Sequence, residues 1–191
     1  MNDTTLRRLT ALLGIAFSAG LFGASRLEIT PAELAALACF VPFATGLSEL
    51  LRRDAPGMGV IATTGLASGL VGITLRMASI VPHIVVRHDP ANTPLTRSFE
   101  KMGDVATTVA LYPLAVMLGM LALAGWTGGL LPRWLTRFGA GTALLMAINA
   151  GFLDTNFVPG LLLFVAWALT ASVVLLRPGK QTATVTAPAA T

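Results

Sequence analysis

The residues of this chain best placed to do chemistry are the few ionisable side chains that fall within or beside long apolar runs, because charge is costly to hold in hydrocarbon without a partner or a task. Arg76 lies about five residues, or roughly 7 Å of helix rise, inside the end of one such run. It is in line with Thr64, Ser68 and Gly72 at helical spacing. A guanidinium there can snorkel to the headgroups, or turn inward to meet a carboxylate and form an anion or proton site. The acids on the same side are Glu33, Asp104 and Asp154.

Other chemistry is confined to the segment Pro82-His83-Ile84-Val85-Val86-Arg87-His88-Asp89-Pro90. With Asp104, His83 and His88 are acid, base or metal candidates for an enzyme at the outer surface. Their spacing does not put two ligands on one helical face, and neither an HExxH pattern nor a cysteine set accompanies them, so no metal site is expected. Cys39 is the sole cysteine, which excludes an intramolecular disulfide and a paired-thiol redox centre. Two histidines are too few axial ligands for a multi-haem bundle. There is no Walker lysine, and Gly65-Leu66-Ala67-Ser68-Gly69 lacks both the spacing of a serine-protease elbow and a later histidine base. No cofactor is expected.

Simpler roles compete for several of these acids. Thr30-Pro31-Ala32-Glu33 reads as N-cap, proline at N1 and glutamate at N3, a capping box that would occupy Glu33. Glu49 and Arg53 form an i, i+4 pair at a helix end. Asp154, with Asn156, suits a helix cap.

The elements that must position these residues follow from composition. Of 191 residues only 12% are charged, and the mean hydropathy is +0.76, whereas a soluble domain carries about 25% charged residues. The chain is therefore a multi-pass membrane protein, all-α, a polytopic bundle of about six spans. The apolar runs cover approximately 9–25, 32–51, 57–81, 105–126, 138–153 and 157–176. Short turns between them imply antiparallel neighbours. Residues 82–104 form the one long connection. There Leu95, Phe99 and Met102 fall at i, i+4 and i+7 and predict an amphipathic helix leading into the fourth span. Residues 177–191, rich in Thr, Ala and Pro, predict a disordered tail. Arg7 and Arg8 before an apolar run and Gly23-Ala24-Ser25 also have the order of a secretory signal; a retained first helix is the expectation.

Basic residues set the orientation. Arg7 and Arg8, Arg52 and Arg53, Arg133 and Arg137, and Arg177 and Lys180 fall on one side, against Arg26, Arg87, Arg97 and Lys101 on the other. Both termini are thus predicted in the cytoplasm and the histidine segment outside. The net charge of +4 reflects this bias, not a nucleic-acid footprint. Close-packing seams are expected at Gly65, Gly69 and Gly72 and at Ala143, Ala147 and Gly151, within the bundle or between two copies. Pro42 and Pro113 are expected to kink their helices.

Leu130-Leu131-Pro132-Arg133-Trp134-Leu135 has a plain physical origin: proline ends a helix, arginine holds the loop inside and tryptophan sits in the interfacial belt. With this turn between apolar helices, the last three spans resemble small multi-pass integral membrane proteins of high-GC bacteria whose function is unknown. The resemblance implies a bacterial cytoplasmic membrane and assigns no site residues. Three function classes remain. The first is a non-catalytic structural or accessory component packing against a membrane-protein partner or a second copy. The second is a small-solute or lipid transporter using Arg76 and an outer-side carboxylate, and the third is the outer-surface lipid-modifying enzyme.

Overall fold

Proline, glycine and aspartate punctuate the apolar runs, and the computed structural model breaks into helices at that punctuation. The helices are α1 (Asp3–Leu27), α2 (Thr30–Asp54), α3 (Gly59–His88), α4 (Pro94–Thr127), α5 (Arg133–Phe152) and α6 (Pro159–Leu176), with a 3-10 turn at Pro56–Met58. The structure describes residues 2–27, 30–88, 94–152 and 159–177, and among these there is no strand. The expected disordered tail lies outside the described residues, apart from Arg177.

Each helix packs on its neighbours in sequence and α6 returns to α1, so the six form a closed ring, with α2 also reaching α4 across the middle. Two contacts fix which connections share an end. Arg53 at the close of α2 pairs with Asp3 at the start of α1, 2.7 Å apart. Asp54 accepts hydrogen bonds from the backbone N–H groups of Gly129 and Leu130, in the α4–α5 turn, at 2.6 and 2.7 Å. The chain's beginning, the α2–α3 turn and the α4–α5 turn therefore lie together, and with them Arg7, Arg8, Arg52, Arg53, Arg133 and Arg137.

Five helical segments, at Asp3–Gly23, Pro31–Asp54, Pro56–Val86, Pro94–Thr127 and Pro159–Leu176, are long and apolar enough to cross a membrane. The fifth helix, α5, is 20 residues long and carries Arg137 and Asn149, which lower its apolarity. It nevertheless lies antiparallel to both neighbours. A Cβ on Gly125 of α4 would meet Thr136, one on Gly119 would meet Ala143, and one on Gly151 would meet Tyr112; Gly139 and Gly160 face Trp167 and Met146 in the reverse order. Leu144 and Ile148 point outward, as lipid-facing residues should. Arg137 stacks over the Trp126 ring at 5.6 Å, an arrangement that keeps a cation at the interface.

Aromatic and aliphatic side chains fill the described interior. Phe40 meets Phe17, Phe164 and Phe43 at centroid distances of 5.2, 5.8 and 6.2 Å, and Met117, Leu118 and Leu121 of α4 fill the other half of the core. Because lipid competes for apolar surface, close approach of backbones must supply the cohesion. Gly65, Gly69 and Gly72 face Met120, Met117 and Leu114 of α4, so this seam joins α3 to α4 within one chain. Ala143 and Gly151 face α4 as well, and Ala147 packs on the same core.

Three boundaries differ from the sequence expectation. Residues 82–104 are not chiefly a loop: α3 runs through Pro82 to His88 and α4 begins at Pro94. Pro82 removes one hydrogen bond near the end of a long helix, which the remaining turns tolerate. The expected amphipathic helix is the first part of α4 itself. Leu95 and Met102 are exposed in phase with Val105, Val109, Tyr112 and Val116, so one outward stripe runs through without a break. Finally, Pro132 does not end α4, which stops at Thr127 before Gly128 and Gly129. It precedes α5, and its carbonyl accepts from Leu135 and Thr136 at 2.9 and 3.2 Å.

At 30 and 34 residues, α3 and α4 measure about 45 and 51 Å. A hydrocarbon core is about 30 Å thick. The hairpin they form is long enough to overhang the core at the end opposite the Arg52–Arg53 cluster.

Candidate functional site

Arg76 lies toward that end of α3, still within about 26 Å of its start. The residues Arg76, Ser79, Ile80, His83 and Ile84 share a face of α3 at helical spacing, and Glu100, Gly103, Asp104 and Thr107 share a face of α4. The first turn of α2 brings Glu33 to the same place.

Arg76 Nη2 donates to Glu33 Oε1 at 2.7 Å. Its Nη1 donates to Thr107 Oγ1 at 2.8 Å and to Ser79 Oγ at 3.1 Å. Both hydroxyls can accept because their protons have backbone destinations: Ser79 donates to the Arg76 carbonyl at 2.7 Å, and Thr107 to the Gly103 carbonyl at 3.0 Å. The Arg76 and Glu33 side chains are 19% and 23% exposed. Arg76 thus turns into the bundle instead of snorkelling, and among the described residues its acidic partner is Glu33. That carboxylate, expected at the helix cap, is drawn to the guanidinium by a charge-assisted bond stronger than one to a neutral backbone donor. The Thr30 side chain of the capping box lies outside the described residues, as does Asp154.

One donor is left over. Arg76 Nε is buried and has no hydrogen-bond partner among the described residues.

His83 packs flat enough on α4 that a Cβ on Gly103 would come within 2.8 Å of its Nε2. The same nitrogen lies 3.9 Å from Asp104 Oδ1, beyond hydrogen-bond range. Asp104 does not cap a separate helix, since α4 passes through it and its carbonyl accepts from Thr108 Oγ1. His88 closes α3, and its side chain lies outside the described residues. Among the described residues no three His, Cys, Asp or Glu side chains are placed to hold a metal ion.

Glu33, Arg76, Ile80, His83, Ile84, Val86 and Glu100 line a cleft of about 330 Å³. Its walls are apolar along α3 and its polar groups come from three helices. Sequence reasoning missed Ser79, Gly103, Thr107 and Glu100. The spacing of Glu100, Gly103, Asp104 and Thr107 at i, i+3, i+4 and i+7 was a usable signal that one face of this segment is polar.

At the opposite end Glu49 holds Arg53 at 2.8 Å, as its i, i+4 spacing predicts, and Arg52 at 2.7 Å. Asp54, unremarked in the sequence, is the acceptor that anchors the α4–α5 turn.

Comparison with known proteins finds no match to a family model, to a curated protein or to a solved structure. The functional reading rests on this geometry.

Proposed function

We propose that the protein is a non-catalytic accessory component of a cell membrane, its natural setting a bacterial cytoplasmic membrane with both termini inside, and that it works by docking a membrane-protein partner on its α3–α4 hairpin. The observation that carries this reading is the contrast between interior and hairpin. The ring is filled by Phe17, Phe40, Phe164, Met117 and Leu121, and Arg76 is committed to Glu33, Thr107 and Ser79. The hairpin, by contrast, extends past the bilayer core with Val81, Val85, Leu95 and Met102 exposed. Apolar side chains at the rim of a membrane protein suit a second protein better than they suit water.

A photo-crosslinking residue at Leu95 or Met102, with Leu144 as a lipid-facing control, tests this in intact cells. The expected result is one discrete protein adduct from the hairpin positions and none from position 144. Adducts at all three positions in equal yield, or at none, would remove the reading.

A second reading, small-solute or lipid transport through the Arg76–Glu33 site, is favoured by the cleft beside that pair. It requires α2 to part from α3, and so predicts that a crosslink between these helices abolishes flux in proteoliposomes.

A further inference from the structure

The geometry points to a second site, at the end of the bundle opposite Arg76: the cleft where α2 gives way to α3 binds the phosphate of an anionic phospholipid, with Arg52 and Thr64 as its donors. The inference goes beyond the partner reading and does not depend on it.

The cleft measures about 470 Å³, and Arg52, Gly59, Val60, Thr63 and Thr64 are among the residues that line it. Ligand pockets span roughly 300–1,000 Å³, so a glycerophosphate headgroup fits. Arg52 is the one charged side chain among the described lining residues, and a ligand can reach it. Its Nη2 is held by Glu49 Oε2 at 2.7 Å, and its stem crosses Gly59, where a Cβ would stand 3.5 Å from Arg52 Cγ. These contacts set the course of the side chain, which is 58% exposed, and leave its Nε–H and Nη1–H groups free to donate. Thr63 gives its proton to the Gly59 carbonyl at 2.9 Å. Thr64 makes no such bond among the described residues, so its hydroxyl is open to an acceptor in the cleft. Guanidinium and hydroxyl donors lining one cleft suit phosphate oxygens, which accept charge-assisted bonds.

The charge around the cleft has the matching sign. Glu49 gives its two oxygens to Arg53 and Arg52, Asp3 pairs with Arg53, and Asp54 holds Gly129 and Leu130. Those are the described acids at this end, against Arg7, Arg8, Arg52, Arg53, Arg133 and Arg137, so the face attracts anionic lipid. A zwitterionic lipid would bring an ammonium for which the described lining has no carboxylate. Depth completes the match. The apolar segments Pro31–Asp54 and Pro56–Val86 meet at this turn, which puts the guanidinium at headgroup level. Val60 is 81% exposed, and Val71, about three helical turns further on, is 55% exposed. The outer face of α3 thus offers an apolar track to the chains of a lipid, which a soluble phosphate would not use.

The test is native mass spectrometry of the full-length protein in mild detergent, titrated with dioleoyl phosphatidylglycerol, dioleoyl phosphatidylcholine and soluble glycerol 3-phosphate. Phosphatidylglycerol should bind about fivefold more tightly than phosphatidylcholine. Arg52→Gln should erase that preference. Val60→Glu, which sets a carboxylate in the cleft at a position with little packing to lose, should weaken it and keeps the test open if Arg52→Gln unfolds. Arg133→Gln removes an equal charge from the same face outside the cleft and should leave the preference in place. Equal binding of the two lipids, a preference that survives both cleft substitutions, or one that falls equally with Arg133→Gln would overturn the proposal. So would glycerol 3-phosphate binding as tightly as the lipid, since the occupant would then be a soluble phosphate.

Discussion

Arg76 and Glu33 stand 2.7 Å apart across the α2–α3 interface, and the same guanidinium reaches Thr107 of α4, so one side chain ties three helices at a single point. Removing one partner strands the other. Breaking a buried ion pair costs about 3–5 kcal/mol, and the one-fifth exposure of this pair lowers the expectation to about 2–3 kcal/mol. Arg76→Ala and Glu33→Ala should each lower the unfolding midpoint of the purified protein in detergent. The double substitution Arg76→Met with Glu33→Leu should cost clearly less than the sum of the two single changes. Additive losses would mean that the pair is not coupled.

Asp54 offers one carboxylate oxygen to two backbone donors of a different turn. Asp54→Ala leaves both without their acceptor and should destabilise by about 1–3 kcal/mol. Limited proteolysis should then cut first within residues 128–131. Asp54→Asn retains an oxygen and should lose about half as much.

The helix glycines differ in what they face. A Cβ on Gly72 would stand 2.7 Å from Leu114 Cγ and 3.1 Å from the Leu114 backbone nitrogen, whereas one on Gly141 of α5 would meet nothing within 4 Å. Gly72→Ala should therefore cost about 1–3 kcal/mol through overpacking. Gly141→Ala should be neutral, or stabilising by up to about 1 kcal/mol through helix propensity. Thermal unfolding of the two variants side by side reads the contrast directly.

Orientation can be read with single cysteines in a Cys39→Ala background. A membrane-impermeant thiol reagent applied to intact cells should label Leu95→Cys and leave Gly57→Cys untouched until the membrane is opened. The reverse pattern would invert the predicted topology.

Much of the bundle was legible in the sequence because a membrane span is announced by length and apolarity alone, and α2, α4 and α6 need little more. Arg76 was legible as an oddity for the same reason, since hydrocarbon makes any charge conspicuous. Its choice of Glu33 was not, because the partner lies 43 residues away and a capping role explained that acid adequately on local grounds. The α3–α4 connection was misjudged because Pro82 reads as the end of a span, whereas α3 continues through it by way of Ile84, Val85 and Val86 to His88. Asp54 escaped notice because a charged residue at the end of a basic turn is unexceptional until the second turn is placed beside it.

The closed ring also bears on how the molecule is assembled. Five of its six interfaces join consecutive helices, so each can form as soon as the next span has entered the bilayer, with no wait for distant chain. The sixth joins the first helix to the last: Gly14 sits against Ser172, and the Phe17 and Phe164 rings meet at 6.2 Å. Until synthesis reaches α6, Phe17 has Phe40 of α2 beside it but not its second aromatic neighbour, Phe164. Closure of the ring is thus the one step that requires the whole bundle, and a chain halted before residue 159 would expose the surface that a quality-control protease can recognise.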